Sequence, residues 1–279
     1  MYRVRQQVGC TDDIMDSCRG RNYGEEDAVR VAVLDTGIGA HPDFEGRIDA
    51  FRDFLHGGKR IYDDSGHGTH VSGCIAGSGK ISGGMYKGIC PYAHLIVGKV
   101  LDKNGDGNME DMRRGIEWVL ENREKYRIRV LNISIGIGHI ENEGKMQELL
   151  RAVDEAWDAG IVVVCAAGNM GPDPMTISPL GSSKKVITVG CHDGGYFTGK
   201  HSLCEDYSGR GPSPYAVKKP DVVAPGTDIV SCNVSYRASF RGYKNAYTKK
   251  SGTSMATPIV SGAAALLLVW LAHLTEEER

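Results

Sequence analysis

The chain lacks an excess of charge of either sign: 33 basic residues stand against 35 acidic ones. So even a balance leaves no electrostatic footprint for nucleic acid or an anionic membrane, and neither is expected as a partner. There is no Cys-x-x-Cys pair. The eight cysteines, at 10, 18, 74, 90, 165, 191, 204 and 232, are widely spaced. That excludes a zinc ribbon and a dense disulfide framework, and leaves free buried thiols as the expectation. No apolar run is long enough for a comfortable membrane span: the longest, Ile259 to Ala272, is broken by Ser261 and Gly262 and fits a buried helix. No signal-peptide core follows Met1-Tyr2-Arg3-Val4-Arg5-Gln6-Gln7, so a cytoplasmic location is expected. Low-complexity tails, internal repeats and linkers are also missing, which keeps the 279 residues within one α/β unit.

What is present is alternation. Residues 1–27 are rich in acid and suggest an arm with one short helix. Val29 to Leu34 is a β-branched run ending at Asp35-Thr36-Gly37, and Ile48 to Leu55 suggests a peripheral strand. Asp63 to His70 opens a small-residue helix to Gly77. Leu95 to Leu101 is a strand, Met109 to Lys125 an amphipathic helix, and Val130 to Ile135 a strand again. Lys145 to Ala159 is helical and stops at Gly160, a natural C-cap. Ile161 to Ala167, Val186 to Val189 and Ile229 to Cys232 complete the strands. Alternating strands and helices predict parallel βαβ units and a three-layer α/β sandwich, a mainly parallel central sheet flanked by helices.

Three chemical groups stand at element ends: Asp35 after a strand, His67 at a helix start and Ser254 before Ile259 to Leu274. Singly, each has a structural alternative: a cap, a hydrogen-bonding histidine in a Gly-rich turn, a Gly/Ser turn before a core helix. Together they match a single chemistry. A serine hydroxyl is a weak nucleophile until a base takes its proton; histidine serves near neutral pH, and a carboxylate fixes its tautomer.

The words around these residues resemble those of subtilisin-like serine proteases. They are Val31-Ala32-Val33-Leu34-Asp35-Thr36-Gly37-Ile38, His67-Gly68-Thr69-His70-Val71-Ser72-Gly73 and Gly252-Thr253-Ser254-Met255-Ala256-Thr257-Pro258. Weaker matches are His41-Pro42-Asp43, Leu131-Asn132-Ile133-Ser134-Ile135-Gly136, Ala166-Ala167-Gly168-Asn169 and Lys219 to Gly226. The likeness spans roughly residues 28 to 272, making residues 28–279 a peptidase domain shortened at its C-terminus relative to the family, after an arm of 1–27. It implies a serine endopeptidase in which Ser254 attacks the scissile carbonyl, His67 is base then acid, Asp35 orients His67, and Asn169 donates to the oxyanion beside the Ser254 N–H. Polypeptide substrates would bind as an added strand between Ser134-Ile135-Gly136 and Gly105-Asp106-Gly107. Ala166, Ala167 and Gly168 would wall the pocket for the residue before the cleaved bond, their small size suiting a large apolar side chain. Leu101 and Met112 line either a more distant apolar subsite or ordinary core.

The short N-terminal region and the cysteines resemble the intracellular branch of the family. The triad requires no cofactor. Calcium stays open: Asp43 occupies a family ligand position, but Gly77 to Gly84 offers few oxygen ligands. No other metal is expected. Asp102 to Gly107 imitates the start of an EF-hand, yet Arg113 stands at the twelfth position. His67 and His70 lack a third ligand, and Cys165 lies in an apolar strand that suits an inert thiol. Two other readings use the same fold: a catalytically idle binding module, and an esterase using the same triad. Oligomeric state is left open.

Overall fold

The computed structural model describes residues 1–19, 28–135, 143–193, 203–213, 218–240 and 242–272. At its centre is a sheet of seven parallel strands: β1 (Arg30–Asp35), β2 (Ile48–Asp53), β3 (His94–Lys99), β4 (Ile128–Ile133), β5 (Val162–Ala166), β6 (Ile187–Cys191) and β7 (Val222–Ala224). Their spatial order is β2-β3-β1-β4-β5-β6-β7. From β1 the chain first fills one side, with β2 outermost and β3 inserted beside β1, and then builds outward on the other from β4 to β7. The reversal leaves a crevice at the carboxyl ends of β1 and β4, where open α/β sheets place their sites.

Strand residues alternate between two cores, as a two-residue period requires. Val31 and Val33 of β1 face one side, together with helix α3 (His67–Ala76) and helix α7 (Thr253–Ala272). Ala32 and Leu34 face the other, together with α4 (Met109–Glu121) and α6 (Glu143–Asp158). Such layering is the expected sandwich. Between the flanking helices, a short α5 (Arg123–Tyr126) ends what the sequence presents as one helix to Lys125. Asn108 caps α4 by accepting the Asp111 N–H at 2.8 Å, and the turn after α6 uses Gly160 at φ +83°. Two small antiparallel ribbons, β8 (Ile229–Cys232) with β11 (Tyr247–Lys250) and β9 (Arg237–Ser239) with β10 (Gly242–Lys244), lie beside this frame.

By length and composition α7 is apolar enough to cross a membrane, but 56% of that stretch is buried within the protein. Met255, Ile259, Ala265, Leu266 and Val269 all belong to the core, as expected of a central helix. Its far end is barer: Leu267, Trp270 and Leu271 are exposed.

Two expectations change. Where an arm with one short helix is predicted, there are two helices, α1 (Tyr2–Gln7) and α2 (Asp12–Arg19). Met1, Val4, Cys10 and Met15 join the same core as α7, so scattered apolar residues outweigh the acidic composition. Arg5, 2% exposed, bonds Asp12 at 2.8 Å and the Gly84 carbonyl at 3.3 Å. The second change is that Cys191 and Cys204 are joined as a disulfide, while the other six cysteines are free. The end of β6 and the turn at Leu203–Asp206 bring their Cα atoms to 5.4 Å, within bonding reach. A separation of 13 residues gave no local signal of this.

Candidate active site

β1 delivers Asp35 to the sheet's carboxyl edge, where its side chain is fully buried. Its Oδ1 accepts the Thr36 N–H at 2.7 Å and faces His67 Nδ1 at 2.7 Å. A carboxylate can only accept, so Nδ1 carries the proton and Nε2 keeps its lone pair. Glycine at position 68 allows this approach, because a Cβ there would lie 2.2 Å from the Gly37 carbonyl oxygen. The His67 side chain remains 25% exposed, and Nε2 makes no hydrogen bond among the described residues. Burial draws the His67 pKa down, but the Asp35 charge and hydrogen bond outweigh it, holding the imidazole above its ordinary value.

The third segment is the start of α7. Gly252 turns the chain at φ +145°, and its N–H is held by the Gly226 carbonyl at 2.9 Å. Asn169, three residues beyond β5, meets this turn. Its Oδ1 accepts both the Thr253 N–H and the Thr253 hydroxyl at 3.0 Å. With Oδ1 so occupied, the Nδ2 donor is turned away from Thr253. The Ser254 N–H has no hydrogen-bond partner among the described residues, and it stands at a helix N-terminus, where positive partial charge collects. Thus Asp35 is brought to His67, and Asn169 to the turn carrying Ser254. No hydrogen bond joins Ser254 to His67, a gap common before substrate binds.

The candidate substrate segments leave the sheet on either side of Asp35, since β1 lies between β3 and β4. Ser134 and Ile135 follow β4 and are buried; Gly136 lies outside the described residues. Gly105, Asp106 and Gly107 lie in the turn after β3, where Asp102 accepts the Asn104 and Asp106 N–H groups at 2.8 and 2.9 Å. Ala166, Ala167 and Gly168 run on from β5, stitched from behind by the Ser178 N–H to the Ala167 carbonyl at 2.7 Å. Leu101 and Met112, 5% and 3% exposed, are packed into the layer beneath α4.

The family model for the subtilases matches residues 26–278. The chain belongs to the subtilase family. Among subtilases it is similar to serine protease AprX of Bacillus subtilis (strain 168), with 44% identity over 260 residues, 90% of this chain and 59% of that protein. The intracellular serine protease of Paenibacillus polymyxa is 36% identical over 262 residues, 91% of this chain and 69% of that protein. The solved structure of Sphericase superposes with a TM-score of 0.71 at 27% identity, covering 90% of this chain and 80% of that one. The chain spans less than two thirds of the length of AprX. Its fold is that of a subtilisin.

The neighbouring titratable groups have other work in this subtilase. His70 is buried, donates from Nε2 to the Ile229 carbonyl at 2.9 Å, and is pushed down to about 3 by that burial. It stays neutral at physiological pH. Burial pushes the Cys165 thiol up to about 12, so it carries no thiolate. Asp43, the position matching a family calcium ligand, accepts the Gly79 N–H at 3.1 Å, the Ile81 N–H at 3.3 Å and the Tyr247 hydroxyl at 2.8 Å. Amide donors from the 79–81 loop face this carboxylate, a set that suits a paired anion and does not fit a cation ligand. Nearby, His41 and Cys232 complete a buried cluster with Asp43, but both His41 nitrogens are engaged, one by Ala246 and one by the Asp43 N–H.

Sequence reasoning passed over Thr253, which orients Asn169, and Thr36 and Asp63, which join the Asp35 and His67 segments. Asp63 had a legible signal: a carboxylate three residues before Gly66 in a helix-opening stretch is an N-terminal acceptor.

Proposed function

We propose that the protein is a serine endopeptidase of the subtilisin type, hydrolysing peptide bonds through an acyl-enzyme. Ser254 Oγ attacks the scissile carbonyl carbon as its proton passes to His67 Nε2. The Ser254 N–H and Asn169 Nδ2 receive the charge that forms on the carbonyl oxygen. Collapse breaks the C–N bond, and His67 returns the proton to the leaving amine. Water then repeats the attack on the ester, with His67 again as base, and frees the acid and Ser254. Asp35 holds the proton at Nδ1 throughout and favours the imidazolium. The observation that carries this reading is the Asp35–His67 pair at 2.7 Å, set at the sheet's crevice with Nε2 free of any hydrogen bond among the described residues.

Substrate would enter as an extended strand between the segments at Ser134-Ile135 and at Gly105-Asp106-Gly107. Ala166, Ala167 and Gly168 carry almost no side chain, which favours a large apolar residue before the cleaved bond. The engaged oxygens of Asp43 support an active site that needs no calcium at that position. Incubation with a fluorophosphonate, followed by hydrolysis assays on casein and on peptides with apolar or acidic residues before the cleaved bond, tests the reading. Labelling at Ser254 with preferred cleavage after apolar residues is expected. Folded protein that takes no label would favour an idle module, and ester turnover without peptide cleavage an esterase.

A further inference from the structure

Asp63 lies outside the triad, yet it touches both segments that hold the triad's acid and base. Buried in the turn before α3, it accepts five hydrogen bonds. Oδ1 takes the Thr36 hydroxyl at 2.9 Å, the Ser65 N–H at 3.1 Å and the Gly66 N–H at 2.7 Å. Oδ2 takes the Thr69 N–H at 2.8 Å and the Thr69 hydroxyl at 2.6 Å. Thr36 is the residue after Asp35, and its Oγ1 also accepts the Gly68 N–H at 2.9 Å, the residue after His67. Thr69 Oγ1 in turn accepts the Gly39 N–H at 2.9 Å. A single carboxylate thus ties the end of β1 to the start of α3.

We propose that Asp63 is a positioning residue for the hydrolytic reaction: acting through Thr36 and Thr69, it fixes His67 against Asp35, and its buried negative charge favours the imidazolium. This rests on the endopeptidase reading above. Two features make the arrangement more than packing. A buried carboxylate is costly unless fully hydrogen-bonded, and here both oxygens take donors from the two segments that must stay in register. Its charge also acts on the base. The groups that face His67 are Asp35 from β1, Asp63 from the turn before α3, and Lys250 from β11 opposing them, with His70 on α3 neutral. Lys99, buried on β3, donates to the Thr36 carbonyl at 2.8 Å, the Leu101 carbonyl at 2.7 Å and Asp64 at 2.7 Å, and holds the same strand end from its other side.

The clamp and the charge can be separated. Asp63→Asn keeps the shape but loses the charge and half of the acceptors. It should lower kcat by about tenfold or more with KM within about twofold, and move the acidic limb of kcat/KM to lower pH. Thr36→Val cuts the bridge to Gly68 and leaves the charge, so kcat should fall while the limb stays; Thr36→Ser should restore kcat. A folded Asp63→Asn protein with wild-type kcat and an unmoved limb overturns the inference, and so does Thr36→Val indistinguishable from Thr36→Ser. Wild-type protein that hydrolyses neither peptide nor ester would instead defeat the endopeptidase reading. Active wild type with unaltered variants defeats only the role of Asp63.

Discussion

Asn169 and Thr253 offer a graded test, because one supplies the proposed donor and the other only aims it. Asn169→Ala removes Nδ2 together with the Oδ1 that receives two bonds from Thr253 at 3.0 Å. An oxyanion-hole asparagine in this same family is known to be worth on the order of 10²–10³ in kcat, about 2.7–4 kcal/mol. The expected loss for Asn169→Ala lies in that range. Thr253→Val removes only the hydroxyl bond; the backbone N–H bond remains. One neutral hydrogen bond is worth about 1 kcal/mol, so the largest loss it can transmit is about fivefold in kcat. Because the oxyanion forms after binding, KM should change little in either variant. Steady-state kinetics on a chromogenic peptide amide, with melting curves to confirm folding, reads both numbers. Asn169→Ala within about threefold of wild type would refute the donor. Thr253→Val falling as far as Asn169→Ala would refute the separation of donor from aim.

Other consequences follow from the same geometry. With the His67 pKa held above the ordinary histidine value by Asp35, activity should fall as pH drops through a midpoint above that value; an acidic limb at or below it would contradict the pairing. The same raised pKa means that the protonated pair adds stability at low pH, and that this part is lost as pH rises through the folded value. In Gly68→Ala, the new Cβ would fall 2.2 Å from the Gly37 oxygen and 3.2 Å from Asp35 Cβ. Overpacking there should cost about 1–3 kcal/mol and depress kcat as well, seen as a melting temperature several degrees lower. Arg5→Ala removes the bonds from α1 to Asp12 and to the Gly84 carbonyl. It should cost about 1–3 kcal/mol and expose α1 to limited proteolysis while leaving kcat near wild type.

The scaffold was largely legible because strand runs such as Val31 to Leu34 and Val130 to Ile133 carry their own β-branched signature, and helices such as Glu143–Asp158 their own period. Asp35, His67 and Ser254 were legible as words, each with its element boundary. What escaped was the material joining them. Thr253 and Asn169 are 84 residues apart, and Thr36 and Asp63 are 27 apart. No local period records that such residues will meet; only the folded sheet does. Cys191 and Cys204 escaped for the same reason, since the turn at Leu203–Asp206 returns to the end of β6 only in three dimensions. The N-terminal helices were underrated because acidic composition dominates residues 1–27, whereas Met1, Val4 and Met15 decide that α1 and α2 dock.

An activated Ser254 should be captured covalently by an electrophile that ordinary serines resist. Folded wild-type protein is treated with a fluorophosphonate, and the adduct is located by peptide mass mapping, with Ser254→Ala and His67→Ala as controls. One phosphonyl group is expected, on Ser254, formed rapidly in wild type, slowly without His67 and not at all in Ser254→Ala. An unlabelled Ser254 in folded wild type, or labelling that proceeds as fast without His67, would contradict it.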